Sequence, residues 1–213
     1  MTYILFGDKG SGAFCVEAAL AEAGAPVEFH EISLEKDEQR SDEFRVLNPS
    51  GKIPALKLPS GEIVTETSAL LYLIAERHPE AKLLPPLVSS ERWQALRWIA
   101  FMASEIYPMV EIADYPGRFV IDHKGAAALK LSAKQRIRGR MLLVEAAASG
   151  EPWFLPTGFS AVDIYAVMFS RWSECRENGW REAHIPKICA MAAALADRQT
   201  LKPVWEKYFP KGS

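Results

Sequence analysis

The hydrophobic pattern of the chain changes once, at Leu83-Leu84-Pro85-Pro86. Before this segment, short apolar runs of strand length alternate with stretches of helical spacing, whereas after it only helical spacing occurs. Two consecutive prolines form a stiff connector, because neither can donate a backbone hydrogen bond to a helix or a sheet. We therefore predict an α/β domain over residues 1–80 and an all-α domain over residues 87–213.

The α/β domain begins with a strand, a helix and a second strand. Residues 3–6 and 27–32 have patterns typical of strands, and the helical spacing between them ends at Gly24 and Pro26. A strand–helix–strand unit this short indicates a parallel strand pair joined by a crossover.

A hairpin and a helix complete this domain. Residues 53–58 and 63–65 flank a turn that contains Gly61, and residues 67–77 have helical spacing that stops at His78-Pro79. The complete order, β-α-β followed by β-β-α, describes a four-stranded mixed sheet with helices packed on it.

Two features mark the all-α domain. Pro108 interrupts an otherwise continuous helical pattern, and its ring would collide with the carbonyl of Ser104, so we predict a kink there. Ser160 followed three residues later by Asp163 is typical of a capping box, which predicts that a helix begins at this point.

The charge and cysteine content exclude several functions. The chain has 25 Lys and Arg against 27 Asp and Glu, so it lacks the basic surface that collects phosphates, and nucleic acid is not an expected partner. Its apolar runs are far shorter than the roughly 20 residues that span a bilayer, and its N-terminus lacks a signal-peptide pattern. We therefore expect a cytoplasmic protein without a membrane partner. The three cysteines have neither C-x-x-C nor metal-ligand spacing, so we expect no metal.

Four short motifs follow one another along the chain. They are Gly10-Ser11-Gly12 at the start of the first helix, residues 48–54 (Asn-Pro-Ser-Gly-Lys-Ile-Pro) before a strand, residues 65–70 (Thr-Glu-Thr-Ser-Ala-Leu) at the start of a later helix, and residues 159–163 (Phe-Ser-Ala-Val-Asp) in the helical half. In this order and spacing they resemble the cytosolic glutathione transferase superfamily over nearly the whole chain, and in particular its bacterial, serine-type or beta-like members.

This resemblance implies a fold and an activity. The fold would be a thioredoxin-like N-terminal domain that binds glutathione, followed by a helical domain that covers the second substrate. The implied reaction is attack of the glutathione thiolate, as co-substrate, on a small apolar alkyl or aryl electrophile, with a role in detoxification. The resemblance also implies a homodimer.

The resemblance assigns six residues to glutathione, one of which is Gly12 at the start of the first helix. Pro54 matches a cis proline, and the main chain of Ile53 is expected to pair with the cysteinyl backbone of the tripeptide. Glu66 is expected to receive the ammonium of the γ-glutamyl end, and Thr67 its carboxylate, together with the free N–H groups of the helix start. Lys52 is a further candidate for a ligand carboxylate or amide. Each residue also has a plainer alternative. Pro54 could be trans and Thr67 could be a helix cap. Glu66 could only complement the helix dipole, and Lys52 could be solvated.

Activation of the thiol requires a donor at the start of the first helix. The glutathione thiol has a solution pKa of about 8.5, and each unit of lowering requires about 1.4 kcal/mol. A hydroxyl at the positive end of a helix can supply roughly 2 to 3 kcal/mol, so Ser11 is predicted to be the catalytic hydroxyl rather than only an N-cap. Two alternatives stay open. Backbone N–H groups at Gly12 could activate the thiol with Ser11 assisting, or Cys15 could form a mixed disulfide, as in reductase-like relatives.

The electrophile is expected to contact Phe14, Ser104 and Tyr107, with the kink at Pro108 turning that segment toward the cleft. Each of the three could equally be a packing residue. Three functions therefore stay open. They are glutathione transfer, a glutathione-dependent reductase or lyase reaction, and glutathione binding by a protein that keeps the fold without turnover.

Overall fold

The computed structural model describes residues 2–210. Over these residues the strands are β1 (Tyr3–Gly7), β2 (Val27–Glu31), β3 (Ala55–Lys57) and β4 (Ile63–Thr65). The helices are α1 (Ala13–Glu22), α2 (Asp42–Leu47), α3 (Thr67–Arg77), α4 (Ser90–Phe101), α5 (Tyr107–Asp114), α6 (Ala126–Ala147), α7 (Ala161–Ser170), α8 (Ser173–Arg176), α9 (Trp180–His184), α10 (Pro186–Asp197) and α11 (Lys202–Tyr208). None of the described helices combines the length and the apolarity needed to cross a membrane.

The strands form one mixed sheet in the order β2-β1-β3-β4. β1 runs parallel to β2, as a crossover through α1 requires, and β3 runs antiparallel to both β1 and β4. Leu5 and Leu56 face each other across the two central strands and are fully buried. The prediction of a thioredoxin-like sheet followed by a helical region is confirmed.

The connection from β1 to α1 is tight and depends on Gly7. A Cβ atom at Gly7 would overlap the Cβ of Ala13, in the first turn of α1. α1 is buried along most of its length and packs beside α3. The start of α1 is therefore held directly against the end of β1.

The described chain separates into two compact units. One contains the residues up to Leu84 together with the segment from Ala194 onward, and the other is Pro85–Ala193. The sequence analysis assigned the whole of 87–213 to the helical domain, whereas the C-terminal segment packs with the first unit. The physical reason is that Phe14 of α1 is enclosed by rings from this segment.

The second unit is built around α7, which is buried over its whole length. The predicted capping box is present at its start, where Ser160 and Asp163 hydrogen-bond to each other's backbone. α5 packs along α6. A π-helical turn, Met102–Ile106, directly precedes the turn that contains Pro108. The helix is therefore irregular next to Pro108, where the sequence predicts a kink.

Candidate functional site

The peptide bond between Ile53 and Pro54 is cis, as the resemblance implied. Ile53 lies just before β3, and among residues 2–210 its main-chain N–H and C=O have no hydrogen-bond partner. A buried main-chain group is normally paired, so these two groups are available to an extended peptide. Lys52 is exposed, and its carbonyl accepts a hydrogen bond from Asn48 Nδ2 at 2.6 Å.

The start of α3 lies next to this bond in the sheet. Thr65 pairs with Ala55, so the residues that follow and precede them, Glu66 and Pro54, are neighbours at one end of the β3–β4 pair. Glu66 is exposed and has φ 67°, a left-handed value that is uncommon outside glycine. This backbone conformation ends β4 and turns the chain into α3.

Thr67 is the first residue of α3 and is only 5% exposed. In the described part of the chain its Oγ1 is buried and has no hydrogen-bond partner. The N-cap of α3 is Glu66, and no described side chain caps the helix, so the alternative role of Thr67 as a cap is not realised. An unpaired buried hydroxyl costs about 1 to 3 kcal/mol, which makes Thr67 a candidate ligand-binding group.

Ser11 lies at the mouth of α1, as predicted, but its hydroxyl is already engaged. It is 7% exposed and donates its hydrogen to the Asp8 carbonyl at 2.7 Å. The same oxygen accepts from the N–H groups of Asp8 and Ala13, at 3.2 Å each. Because a hydroxyl has a single hydrogen, Ser11 cannot donate to a thiolate in this arrangement. This geometry does not support the predicted direct role of Ser11.

The N–H of Gly12 is the donor that the start of α1 does offer. Gly12 is the N-cap residue of α1, and within the described chain its N–H has no acceptor. The turn before it is fixed by the Asp8 carboxylate, which accepts from the N–H of Gly10 at 3.3 Å and from that of Leu34 at 2.8 Å. The glycine-rich turn therefore presents one main-chain N–H, that of Gly12, rather than a side-chain hydroxyl.

The cysteines do not offer a reactive thiol. Cys15 is fully buried, and burial raises its pKa well above the ordinary value. Burial likewise raises the pKa of Cys175 to about 12 and that of Cys189 above its usual range. Because the thiolate is the nucleophile, Cys15 is not suited to a mixed-disulfide reaction.

Gln39 is a candidate that the sequence analysis missed. It is 4% exposed, and its Oε1 has no hydrogen-bond partner over the residues described, while its Nε2 donates to Asp37 Oδ1 at 3.1 Å. A Cβ at Gly51 would lie 3.2 Å from the Gln39 carbonyl, so Gln39 is next to the segment that leads to Ile53. No motif surrounds Gln39 in the sequence, and only its burial identifies it.

The three predicted electrophile-contacting residues have different surroundings. Phe14 belongs to the first unit and is buried against Trp205, Tyr208 and Phe209, so its ring is a packing element. Ser104 is exposed on the π-helical turn of the second unit. Tyr107 is half-buried and contacts the rings of Tyr165, Phe169 and Trp172. No group of side chains suited to hold a metal ion occurs in the part of the chain that the structure describes.

Comparison with known proteins finds similar sequences and similar folds. Residues 13–77 match the family model described as glutathione S-transferase, N-terminal domain. The GST-like protein YncG of Escherichia coli K12 is 28% identical over 204 residues, which cover 95% of this chain and 97% of YncG. Glutathione S-transferase GstA of Escherichia coli O157:H7 is 25% identical over 174 residues, covering 79% and 81%. A glutathione transferase homologue from Sulfitobacter, crystallised with bound glutathione, shares the fold with a TM-score of 0.89 at 24% identity, covering 97% of this chain and 98% of that one. Over most of its length the chain is thus similar to glutathione transferase-like proteins, and residues 13–77 match the N-terminal domain of that family.

Proposed function

We propose that this protein binds glutathione and transfers its sulfur to small apolar electrophiles. The observation that carries the proposal is the set of hydrogen-bonding groups left without partners, over the residues described, where β3 and α3 begin: the main chain of Ile53 and the buried Oγ1 of Thr67. Each unpaired buried polar group costs about 1 to 3 kcal/mol. A tripeptide bound there would satisfy both.

The proposed contacts follow the chemistry of each group. The main chain of Ile53 pairs with the cysteinyl residue of glutathione, and the Glu66 carboxylate receives the γ-glutamyl ammonium. The γ-glutamyl carboxylate receives hydrogen bonds from Thr67 and from the first N–H groups of α3, where the helix dipole favours an anion. Gln39 Oε1 accepts an amide N–H toward the glycine end, and Lys52 is the candidate for the glycine carboxylate.

The N–H of Gly12 is the proposed donor to the sulfur. One charge-assisted hydrogen bond and the positive end of α1 together favour the thiolate by about 2 to 3 kcal/mol. At about 1.4 kcal/mol per unit, the pKa of the bound thiol falls from about 8.5 to about 6.5. Ser11 contributes by holding the turn, through its bonds to Asp8 and Ala13.

One observation favours a second candidate function. Because the Ser11 hydroxyl donates to Asp8, no side-chain hydroxyl is directed at the sulfur from this turn. If the Gly12 N–H alone does not acidify the thiol, the protein binds glutathione without turnover. The pKa of bound glutathione therefore separates the two candidates. From the family we also propose a cytoplasmic homodimer with glutathione as co-substrate.

Binding is tested by calorimetry with glutathione. We expect Thr67→Val to weaken binding about 10- to 100-fold, since a hydrogen bond to a charged group is worth about 1.5 to 3 kcal/mol. Thr67→Ser, which keeps the hydroxyl, is the matched control and retains the affinity of the parent. Absence of measurable binding in the parent protein refutes the proposal.

Thiol activation is tested by ultraviolet titration of bound glutathione. Gly12→Pro removes the N–H at a residue whose φ of −62° suits proline, whereas Gly12→Ala keeps the N–H. We expect a bound-thiol pKa of about 6.5 in the parent and in Gly12→Ala, and about 8.5 in Gly12→Pro. The rate of glutathione conjugation to a chlorodinitrobenzene should also fall in Gly12→Pro, because less of the bound thiol is ionised. Equal pKa values in both variants would remove Gly12 from the mechanism.

A further inference from the structure

Two carboxylates on α1 are held by the C-terminal segment of the chain. Glu22, whose side chain is 6% exposed, accepts from Arg198 Nε at 2.9 Å and Nη2 at 2.5 Å, and also from the hydroxyl of Thr200. Glu17, whose side chain is 13% exposed, accepts from Lys207 Nζ at 2.6 Å and from the Tyr208 hydroxyl at 2.8 Å. These are covered, charge-assisted contacts, which are stronger than exposed ion pairs.

An aromatic cluster reinforces the same docking at the first turn of α1. The ring of Phe14 lies 5.6 Å from that of Tyr208 and 4.8 Å from that of Phe209, centroid to centroid. Lys207 Nζ lies 3.4 Å from the centroid of Phe29 in β2. Phe14 is two residues after Gly12, so the C-terminal segment supports the turn of α1 that carries the proposed sulfur donor.

The electrostatics of Tyr208 agree with this placement. Its pKa is raised by burial first and then by the Glu17 carboxylate, with smaller contributions from Cys15 and Asp8. Asp8 belongs to the turn that precedes Gly12. The raised pKa keeps the Tyr208 hydroxyl protonated, so that it can donate to the Glu17 carboxylate of α1.

We infer that residues 198–209 form a positioning element for the glutathione sulfur, in which Lys207 and Tyr208 hold α1 through Glu17. This inference rests on the proposed function and adds that the C-terminal end of the chain completes the glutathione-activating unit. Its physical basis is that a hydrogen bond to a thiolate is useful only when the donor is placed within about 0.5 Å. Misplacement by about 1 Å can lower a rate by about 100-fold.

The inference separates sulfur activation from tripeptide binding. Ile53 lies just before β3, and Glu66 and Thr67 lie at the start of α3; over residues 2–210 none of the three hydrogen-bonds to the C-terminal segment. Loosening the contact at Glu17 should therefore alter the pKa of bound glutathione while leaving its dissociation constant nearly unchanged. A purely structural role would instead lower the stability and affinity together, with no selective effect on the thiol.

The test uses conservative variants of the full chain. Tyr208→Phe removes one hydroxyl and keeps the ring, and Glu17→Gln removes the charge and keeps the size. Glu206→Gln is the matched control, because Glu206 is exposed on the same helix α11. Calorimetry gives the dissociation constant of glutathione, and ultraviolet titration gives the pKa of the bound thiol.

We expect the dissociation constant to change by less than about threefold in all three variants. The pKa of the bound thiol should rise by about 0.5 to 1 unit in Tyr208→Phe and Glu17→Gln, and stay unchanged in Glu206→Gln. An unchanged thiol pKa in Tyr208→Phe, with glutathione still bound, overturns the inference. Failure of the parent to bind glutathione overturns the proposed function instead, so the two failures are distinguishable.

Discussion

The carboxylate of Asp163 is the buried polar group on which the second unit most depends. It accepts from the N–H of Phe154 at 2.6 Å, from the N–H of Ser160 at 2.7 Å and from the Ser160 hydroxyl at 3.2 Å. It thereby joins the start of α7 to the segment before it. Substitution by alanine leaves both main-chain N–H groups buried without an acceptor.

The expected effect of Asp163→Ala can be worked from these contacts. Each buried N–H without a partner costs about 1 to 3 kcal/mol, so the two together lower the free energy of unfolding by about 2 to 6 kcal/mol. Domains are stable by only about 5 to 15 kcal/mol, so the second unit should become marginal. Asp163→Asn keeps one carbonyl acceptor and should lose about half as much.

Urea unfolding followed by tryptophan fluorescence measures this effect. Five of the six tryptophans, all except Trp205, lie in Pro85–Ala193, so the signal reports mainly on the second unit. Ser41→Ala is the control, because the Ser41 hydroxyl caps α2 of the first unit by accepting from Phe44 N at 3.2 Å, and its loss should cost about 0.5 to 2 kcal/mol. A loss below about 1 kcal/mol in Asp163→Ala would show that the cost assigned to buried N–H groups is wrong here.

Asp163 also predicts a pH dependence. Burial raises its pKa from 3.8 to about 6, although hydrogen bonds from Phe154, from Ser160 and from its own backbone lower it. The folded state therefore binds the proton more tightly than the unfolded state, so this contribution to stability is complete below about pH 4 and is lost as the pH rises through about 6. The change of the free energy of unfolding with pH should be smaller in Asp163→Asn but should not vanish. The reason is that desolvation and Glu174 also raise the pKa of Asp114 to about 6. Urea midpoints measured across this range check the sign, and an increase in the Asp163 contribution with pH would contradict it.

Three further outcomes are expected. Gly139→Ala should stabilise α6 by about 0.5 to 1 kcal/mol, measured by urea unfolding, because apart from the adjacent backbone of α6 itself the added Cβ meets no described atom within 4 Å. Gly7→Ala should destabilise by about 1 to 3 kcal/mol in the same assay, because its Cβ overlaps that of Ala13. In native protein a thiol reagent should leave Cys15 unmodified and react slowly with the partly buried Cys189, as mass spectrometry of the labelled peptides can verify.

Much of the fold was predictable because its determinants are local. The strands around α1, the start of α3 and the capping box at Ser160 each follow from a few adjacent residues, and the structure contains all of them. The docking of α11 was not predictable, because an apolar helix face does not specify which partner covers it. The sequence predicts a donor hydroxyl at the mouth of α1, but the N-cap residue is Gly12, and the direction of the Ser11 hydrogen depends on where the carbonyl of Asp8 lies.

The proposed site is built mostly from main-chain groups, which explains both what its sequence motifs contain and what they leave out. The N–H of Gly12, the main chain of Ile53 and the first N–H groups of α3 require particular backbone paths rather than particular side chains. Such paths favour glycine and proline, which make up two of the three residues in the first motif and three of the seven in the second. Most alanine substitutions in the site should therefore leave its donors in place, because alanine keeps the N–H. Substitutions that remove an N–H or move a helix, such as Gly12→Pro or Glu17→Gln, are consequently the ones that can separate thiol activation from glutathione binding.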